Sequence, residues 1–210
     1  MHSIRIKNLR SLIDTEDVEI KPITFIVGSN SSGKSSFLRT FPLLRQSTEA
    51  NTVGAILWYG TYVDFGTHDE AKNKYSDNNE ISFSFTYDLL AKNNINNASY
   101  SQNSLHLFNS KYLEDFIPGT YKFTLEVIID SDSSGQSKTK AIAIKFEDHS
   151  IQFEIGDFSN GSIEINNIVV NETEITIEPE TFRAYKGNRS FLPLLMPGKN
   201  FYGKNIKKII

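Results

Sequence analysis

Residues 28–35 carry the side chains whose types and spacing most directly indicate chemistry. They read GSNSSGKS, the G-x-x-x-x-G-K-[ST] spacing of a P-loop, in which glycines let backbone N–H groups approach a phosphate. The lysine of such a loop reaches the β- and γ-phosphates, and the hydroxyl after it holds Mg²⁺. The sequence therefore predicts that ATP and Mg²⁺ bind here, with Ser35 as the metal ligand. The predicted nucleotide-binding residues of the loop are Gly28, Ser29, Asn30, Ser31, Ser32, Gly33, Lys34, Ser35 and Ser36.

A strand before this loop and a helix after it are the elements that must position it. Residues 23–27, ITFIV, form an apolar run typical of a strand that is buried on both faces. After Gly33 the apolar residues recur at steps of three and four, which predicts a helix over 34–47. Pro42 lies inside that helix and predicts a kink or an early end. A second apolar block, residues 53–59, predicts another short helix.

Most of the remaining chain has the pattern of β-strands. SIRIKNL and DVEI near the N-terminus predict two short strands, and EISFSFTY alternates apolar and polar residues strictly from residue 81. Residues 92–110 are rich in Asn and Ser and predict a long polar loop. We therefore expect a P-loop strand–helix core over 1–60 and a β-rich part over 61–210. Further antiparallel strands are predicted at 121–130, 140–146, 151–155, 162–170 and 172–178.

Phosphoryl transfer needs more than a phosphate-binding loop. P-loop enzymes also use an acidic residue at the end of a buried strand and a group that orients water. The nearest match is LEVIID, residues 125–130, which ends in Asp130. Glu126 interrupts its apolar run, so the pattern favours a half-exposed antiparallel strand with Asp130 opening a turn over a metal-binding acid. The catalytic residues are therefore unknown, and the phosphate-binding half of an ATP site is what the sequence predicts.

The composition excludes several classes of protein and site. The chain has 210 residues, 39% hydrophobic and 22% charged, which suits a soluble globular chain with one core or two small ones. It has no cysteine, and its four histidines lack the spacing of metal ligands. No apolar run approaches a membrane span and no signal peptide is recognisable, so we expect a cytoplasmic protein without membrane contact.

Charge gives little support for a nucleic-acid-binding protein. The net charge of −3 disfavours the whole chain as a cationic partner of DNA or RNA. The last twelve residues are basic, which predicts a solvated tail, with a contact to a phosphate backbone as the alternative. The basic residues of this tail are Lys199, Lys204, Lys207 and Lys208.

Two stretches near the N-terminus resemble a known family. The loop matches G-x-N-x-x-G-K-S-[ST], and the opening strand matches the pattern I-x-N-F-+-S. With these residues the chain resembles the N-terminal part of ABC-type ATPases of the SMC, RecF and OLD kind, within the AAA family. NSSGKSSFLRTFPLLRQS over 30–47, followed by YGTYVDFGTHDE over 59–70, looks closer still to OLD-like ATPases of bacterial anti-phage systems, such as the ATPase subunit of Septu defence and its retron-associated forms. The matching residues of the opening strand are Ile6, Asn8, Leu9, Arg10 and Ser11.

The resemblance implies a fold, partners and additional site residues. It implies an α/β P-loop NTPase fold, an ABC-type nucleotide-binding lobe with a substantial antiparallel β portion. Arg10 and Ser11 would lie near the nucleotide. In the alternative interpretation, Arg10 has no role in binding and only caps a surface turn. The family places its signature, acidic and switch motifs far beyond an insertion, so we expect this chain to be the N-terminal part of a longer protein. The implied partners are a second ATPase head in a homo-oligomer, an HNH-type nuclease, and retron RNA or DNA or phage DNA.

Three other features invite comparison with ABC-type sites. SSGQ, residues 133–136, resembles part of the ABC signature, but the alternating residues after it favour a hairpin. Gln46 is rejected as a metal-contacting glutamine because it lies roughly 18 Å along the helix from Lys34. Asp64 is interpreted as a turn former, with a loop near the site as the alternative.

Three functions fit these observations. The first is an ATPase that works as a head-to-head dimer and hydrolyses ATP. The second is a scaffold that binds ATP without appreciable turnover and holds a nuclease inactive. The third is a nucleic-acid-binding module with a secondary ATP site, which only the basic tail supports. The resemblance also allows a RecF- or SMC-like DNA repair ATPase as an alternative.

Overall fold

A computed structural model describes residues 1–50, 55–91, 119–146, 149–159, 162–175 and 181–183. Within these ranges the chain forms two helices and a ten-stranded sheet in which every pairing is antiparallel. The helices are α1 (Lys34–Glu49) and α2 (His68–Ala71), and the strands are β1 (Ser3–Leu9), β2 (Leu12–Asp14), β3 (Val18–Glu19), β4 (Ile81–Ala91), β5 (Gly119–Ser131), β6 (Ser137–Phe146), β7 (His149–Ser159), β8 (Ser162–Val170), β9 (Thr173–Ile175) and β10 (Thr181–Arg183).

The sheet follows the chain order over most of its width. Its strand order is β10-β8-β7-β6-β5-β4-β1-β2, with β3 beside β1 and β9 beside β8. The predicted α/β content and antiparallel strands are therefore confirmed over the described residues. The predicted loop over 92–110 lies outside the described residues. The four lysines of the basic tail lie outside them as well.

β4 pairs with β1 and is buried over its first six residues. Ile81 and Phe83 are fully buried and form one face together with Phe85. The opposite face carries small polar residues that are also buried, and its Ser82 donates a hydrogen bond to Oε1 of Glu126 (3.1 Å). The alternation that predicts a strand is thus confirmed, although the polar face is covered as well.

β5 and β6 form the hairpin that the sequence favours at residues 133–136. The turn is held by Asp132, whose carboxylate accepts the backbone N–H groups of Ser134 (2.8 Å) and Gln136 (3.0 Å). No helix begins at this turn, because the chain continues directly into β6. The interpretation of SSGQ as a hairpin is therefore confirmed.

α1 begins where the sequence predicts and continues past Pro42 to Glu49. The early end that Pro42 predicts is therefore wrong. Proline removes one backbone hydrogen bond, but one side of this helix is buried and tertiary packing supplies most of a helix's stability. The buried residues of α1 are Phe37, Thr40, Leu43, Gln46 and Ser47.

The segment before the P-loop differs from its prediction. Residues 23–27 form no strand, and Ile23, Phe25 and Val27 are 74%, 86% and 88% exposed. The prediction of a strand buried on both faces is wrong for this structure, since no strand of the described residues pairs with this segment. An isolated extended segment has no partner for its backbone groups and no layer to cover its side chains.

The helix predicted over 53–59 is also wrong where the structure describes it. Residues 55–59 carry no helix, and Tyr59 instead pairs with Asp64 in an isolated bridge. Ile56 and Trp58 are buried in the main core, which explains the apolar block. That core joins side chains of β1, β4, β5 and α1 with the loop before α2. None of the helices in the described ranges is both long and apolar enough to cross a membrane.

Candidate functional site

A pocket of about 370 Å³ lies at the start of α1. The P-loop lines it through Ser31 and residues 33–36, and Arg10 and Ser11, directly after β1, line it as well. A third group of lining residues comes from the end of α2 and the segment that follows it, which no sequence motif above indicates. The residues of this third side are Glu70, Lys72, Lys74 and Tyr75.

Gly33 is the residue whose backbone the loop most needs. Its φ of 96° lies in the left-handed region that glycine favours. A Cβ at this position would collide with Cδ2 of Leu12 and come within 3.0 Å of Oγ of Ser11. The P-loop therefore packs against the turn between β1 and β2, and a side chain at Gly33 would be strained and would displace Leu12.

The first turn of α1 carries no side-chain cap and no acidic residue. The first N–H groups of any α-helix lack a partner within the helix, and the helix dipole adds positive potential at the same point. Such a helix end binds phosphate groups well.

Lys34 lies across the loop that it follows. Its Nζ donates to the carbonyl oxygens of Gly28 (2.8 Å) and Ser29 (2.5 Å). An ammonium group has three donors, so one remains for another acceptor in this arrangement. The lysine thus stabilises the loop and also lines the pocket.

Arg10 connects the pocket to the loop before α2. Its guanidinium donates to the carbonyl oxygen of Phe65 (2.9 Å) and lies 5.6 Å from the centroid of the Phe65 ring. Its backbone N–H donates to the carbonyl oxygen of Ala71 (2.7 Å). Arg10 therefore holds a loop, as the alternative interpretation requires, and it also lines the pocket with the P-loop.

Residues 70–75 are fixed to the end of β1 by backbone contacts. Lys72 forms a bridge with Leu9, and the N–H of Asn73 donates to the carbonyl oxygen of Asn8 (3.0 Å). The α2 turn itself is closed by a capping box between Thr67 and Glu70. This box, with the pattern T-x-x-E, is a sequence signal for the start of α2, but it does not indicate that α2 lies beside the P-loop.

The pocket is cationic although the chain as a whole is acidic. Among its described lining residues four cations accompany one carboxylate, Glu70. That carboxylate already accepts the backbone N–H of Thr67 (2.8 Å). A concave site with this balance attracts anions. The four cations are Arg10, Lys34, Lys72 and Lys74.

The other residues singled out from the sequence lie elsewhere. Gln46 is buried and bonds to the loop over 57–63, so its rejection as a metal ligand agrees with the structure. Asp64 accepts the N–H of Gly66 (2.7 Å), which confirms the interpretation as a turn former. Asp130 belongs to β5 and does not line the pocket.

Histidines and carboxylates of the described ranges do not gather into a metal site. No group of three or more metal-ligating side chains occurs there. His68 is buried with its ring edge-on to Trp58, and burial lowers the pKa of this imidazole. It is a neutral core residue at physiological pH.

The site combines a P-loop sequence, an uncapped helix and a cationic pocket beside an antiparallel sheet. These features are typical of nucleotide-binding proteins. The family model of the AAA ATPase domain matches residues 1–208. The chain therefore belongs to the AAA ATPase domain family, which confirms the predicted ATPase class at this level. No match was found among curated proteins or among solved structures.

Proposed function

We propose that this chain binds ATP with Mg²⁺ in the pocket at the start of α1. The observation that carries the proposal is the position of Gly33, Lys34 and Ser35, which line one cationic pocket at an uncapped helix N-terminus. The backbone N–H groups of the loop and the first turn of α1 would hold the β- and γ-phosphates. Arg10 and Ser11 line the same pocket and would contact the nucleotide from the β1 side.

The side chains present fit the metal that the family uses. Mg²⁺ prefers oxygen ligands, and the Ser35 hydroxyl is an oxygen donor beside the phosphate site. Bound Mg²⁺ neutralises charge on the β- and γ-phosphates. Ser35 would hold the ion, and Lys34 would neutralise the phosphates from the other side.

The test is a titration of the chain with MgATP in wild type and in Lys34→Ala. Hydrogen bonds to charged groups contribute about 1.5–3 kcal/mol, so affinity should fall roughly tenfold or more. Lys138→Ala is the matched control, because Lys138 is an exposed lysine of β6 that does not line the pocket. Equal affinity of wild type and Lys34→Ala, with unchanged circular dichroism, would refute the assignment.

We propose further that the 210-residue chain turns ATP over slowly. Among the described residues, the one carboxylate of the pocket is Glu70, and it is engaged by the α2 cap. Asp130, the nearest sequence match to a metal-binding acid, lies in an antiparallel hairpin away from the pocket. Phosphate release at saturating MgATP is the measurement, and rapid turnover that Asp130→Asn abolishes would contradict the proposal.

The finer role follows from the resemblance to OLD-like ATPases. We propose a cytoplasmic ATPase subunit of a bacterial anti-phage complex that pairs head to head with a second copy and controls an HNH-type nuclease. The resemblance in residues 6–11 and 28–36 supports this role. A scaffold that binds ATP without turnover is the second candidate, favoured by the engagement of Glu70.

Assembly tests the head-to-head pairing, whereas the turnover measurement above separates the ATPase from the scaffold. An ATPase head of this kind closes on a second head when ATP is bound, because ATP shifts assembly by its differential affinity for the two states. Sedimentation of the protein with and without MgATP should show a larger species with nucleotide. A protein that stays monomeric at saturating ATP would contradict the head-to-head proposal.

A further inference from the structure

We infer that Tyr75 is the residue that recognises the base of the bound nucleotide, by stacking its ring on a purine, while Lys74 beside it contacts the phosphates. The inference rests on the proposed function, because it takes the phosphates to lie at the P-loop. It concerns the third side of the pocket, where Tyr75 lies. Tyr75 follows Lys34 by 41 positions in the sequence.

The first step is the position of this side of the pocket. A nucleotide with its phosphates at the start of α1 must place its nucleoside elsewhere in the same cavity. Tyr75 and Lys74 line that cavity together with Gly33 and Lys34. Among the described residues that line the cavity, Tyr75 is the aromatic one.

The second step concerns how Tyr75 is fixed: hydrogen bonds anchor its backbone, whereas its side chain is exposed to solvent. Its N–H donates to Oδ1 of Asn73 (2.8 Å), and Asn73 is bonded in turn to the Asn8 carbonyl at the end of β1 (3.0 Å). The residue itself is 95% exposed. A large aromatic side chain presented in this way to a pocket offers a stacking surface that the fold does not use for packing.

The third step is the contrast between the two lysines. Nζ of Lys72 donates to Oδ1 of Asn79, so this cation is already tethered. Within the part of the chain that the structure describes, Lys74 makes no hydrogen bond or ion pair. Its charge is therefore available to a phosphate, where a lysine acts as a point charge.

Stacking predicts affinity for purines without strong discrimination among them. Every base has a π-face, so a stack on an aromatic side chain tolerates different bases. Removal of one aromatic side chain from such a stack weakens binding by roughly five- to a hundredfold. ATP and GTP should therefore lose affinity to a similar extent when Tyr75 is truncated.

The experiment compares MgATP, MgGTP and Mg–tripolyphosphate on the 210-residue chain. Tyr75→Ala should weaken both nucleotides at least about fivefold and leave tripolyphosphate unchanged. Tyr75→Phe should keep wild-type affinity, since it keeps the ring. Tyr59→Ala is the matched control, because Tyr59 is 69% exposed and does not line the pocket. Lys74→Ala should weaken all three ligands.

The outcomes distinguish this inference from the proposed function. If wild type binds the nucleotides and Tyr75→Ala binds them equally well, the base-stacking inference is overturned and the phosphate site stands. The same holds if Tyr75→Ala weakens tripolyphosphate as much as ATP. If wild type binds none of the three ligands, the phosphate site fails and the inference fails with it.

Discussion

β4 and the segment over 23–27 are both rich in apolar residues, yet they lie in opposite environments. β4 pairs with β1 on one side and β5 on the other, and its Phe83 is fully buried. The segment over 23–27 pairs with no strand of the described residues, and its Phe25 is 86% exposed. An apolar pattern thus indicates that a segment is suited to packing in a core. Whether the segment is buried depends on other parts of the chain, which the local pattern does not specify.

The same contrast divides the two sides of the P-loop. The chain enters the loop through an exposed segment, and it leaves the loop through α1, whose inner face lies in the main core. Gly33 also packs against the turn after β1. The P-loop is therefore anchored from the helix side and by the turn after β1, and substitutions at these contacts should cost more stability than substitutions before the loop.

The largest expected effect is at Phe83. Truncation of a fully buried phenylalanine removes its apolar contacts and leaves a cavity, so Phe83→Ala should lower the free energy of unfolding by about 3–5 kcal/mol. Urea denaturation of the purified chain is the measurement. A loss below about 1 kcal/mol would mean that β4 does not form the centre of the core.

Gln46 should give the next largest effect. Its side-chain amide donates to the carbonyl oxygens of Leu57 (2.6 Å) and Val63 (3.1 Å), and its oxygen accepts the N–H groups of Tyr62 and Val63. Gln46→Leu removes these partners, and buried groups left without them cost about 1–3 kcal/mol. We expect a loss of roughly 2–4 kcal/mol in urea denaturation.

The control for Gln46 is its neighbour on the exposed side of α1. Arg45 pairs with Glu49 one turn later, a pair of the kind that contributes about 0.3–0.5 kcal/mol. Arg45→Ala should therefore have a small effect. Similar losses for both variants would contradict the role assigned to the Gln46 amide.

A smaller effect is expected from pH at the edge of the sheet. The hydrogen bond from Arg5 lowers the pKa of Asp14 from 3.8 to about 2. A lowered pKa in the folded state stabilises the fold above pH about 4, and this contribution is lost as the pH falls toward 2. Both side chains are 34% exposed, so the contribution should stay below about 1 kcal/mol. Asp14→Asn should remove this part of the acid dependence, so that the difference from wild type shrinks as the pH falls toward 2.

The smallest effect is expected at Phe25. Because this side chain is 86% exposed, Phe25→Ala should change the free energy of unfolding by less than about 0.5 kcal/mol. Measuring Phe25→Ala and Phe83→Ala in the same denaturation assay compares the exposed segment with β4 most directly. A loss of several kcal/mol at Phe25 would show that the segment before the P-loop is buried in solution.

Local patterns were sufficient for much of this fold. Strict alternation located β4 and the strands after it, and the three- and four-residue steps located α1. These predictions succeeded because the pattern and the contacts lie within one element or one hairpin. The predictions for 23–27 and 53–59 were wrong because an apolar run does not say whether a neighbouring strand or an irregular core loop receives it.

One part of the candidate site could be predicted from the sequence and another part could not. The P-loop follows from one continuous motif, but the wall at Lys74 and Tyr75 does not. That wall depends on the bridge between Leu9 and Lys72, which are 63 positions apart (72 − 9) and whose pairing no local pattern indicates. Only the folded arrangement of β1 and α2 brings a tyrosine to the pocket beside the P-loop.

The central claim is that the pocket at the start of α1 holds a nucleoside triphosphate, and ligand-induced stabilisation tests it most directly. A ligand at a hundred times its dissociation constant stabilises a folded protein by about 2.7 kcal/mol. We predict that MgATP at this excess raises the free energy of unfolding of the wild-type chain by about this amount. Lys34→Ala should gain much less at the same concentration. No gain in the wild type, or an equal gain in Lys34→Ala, would contradict the claim.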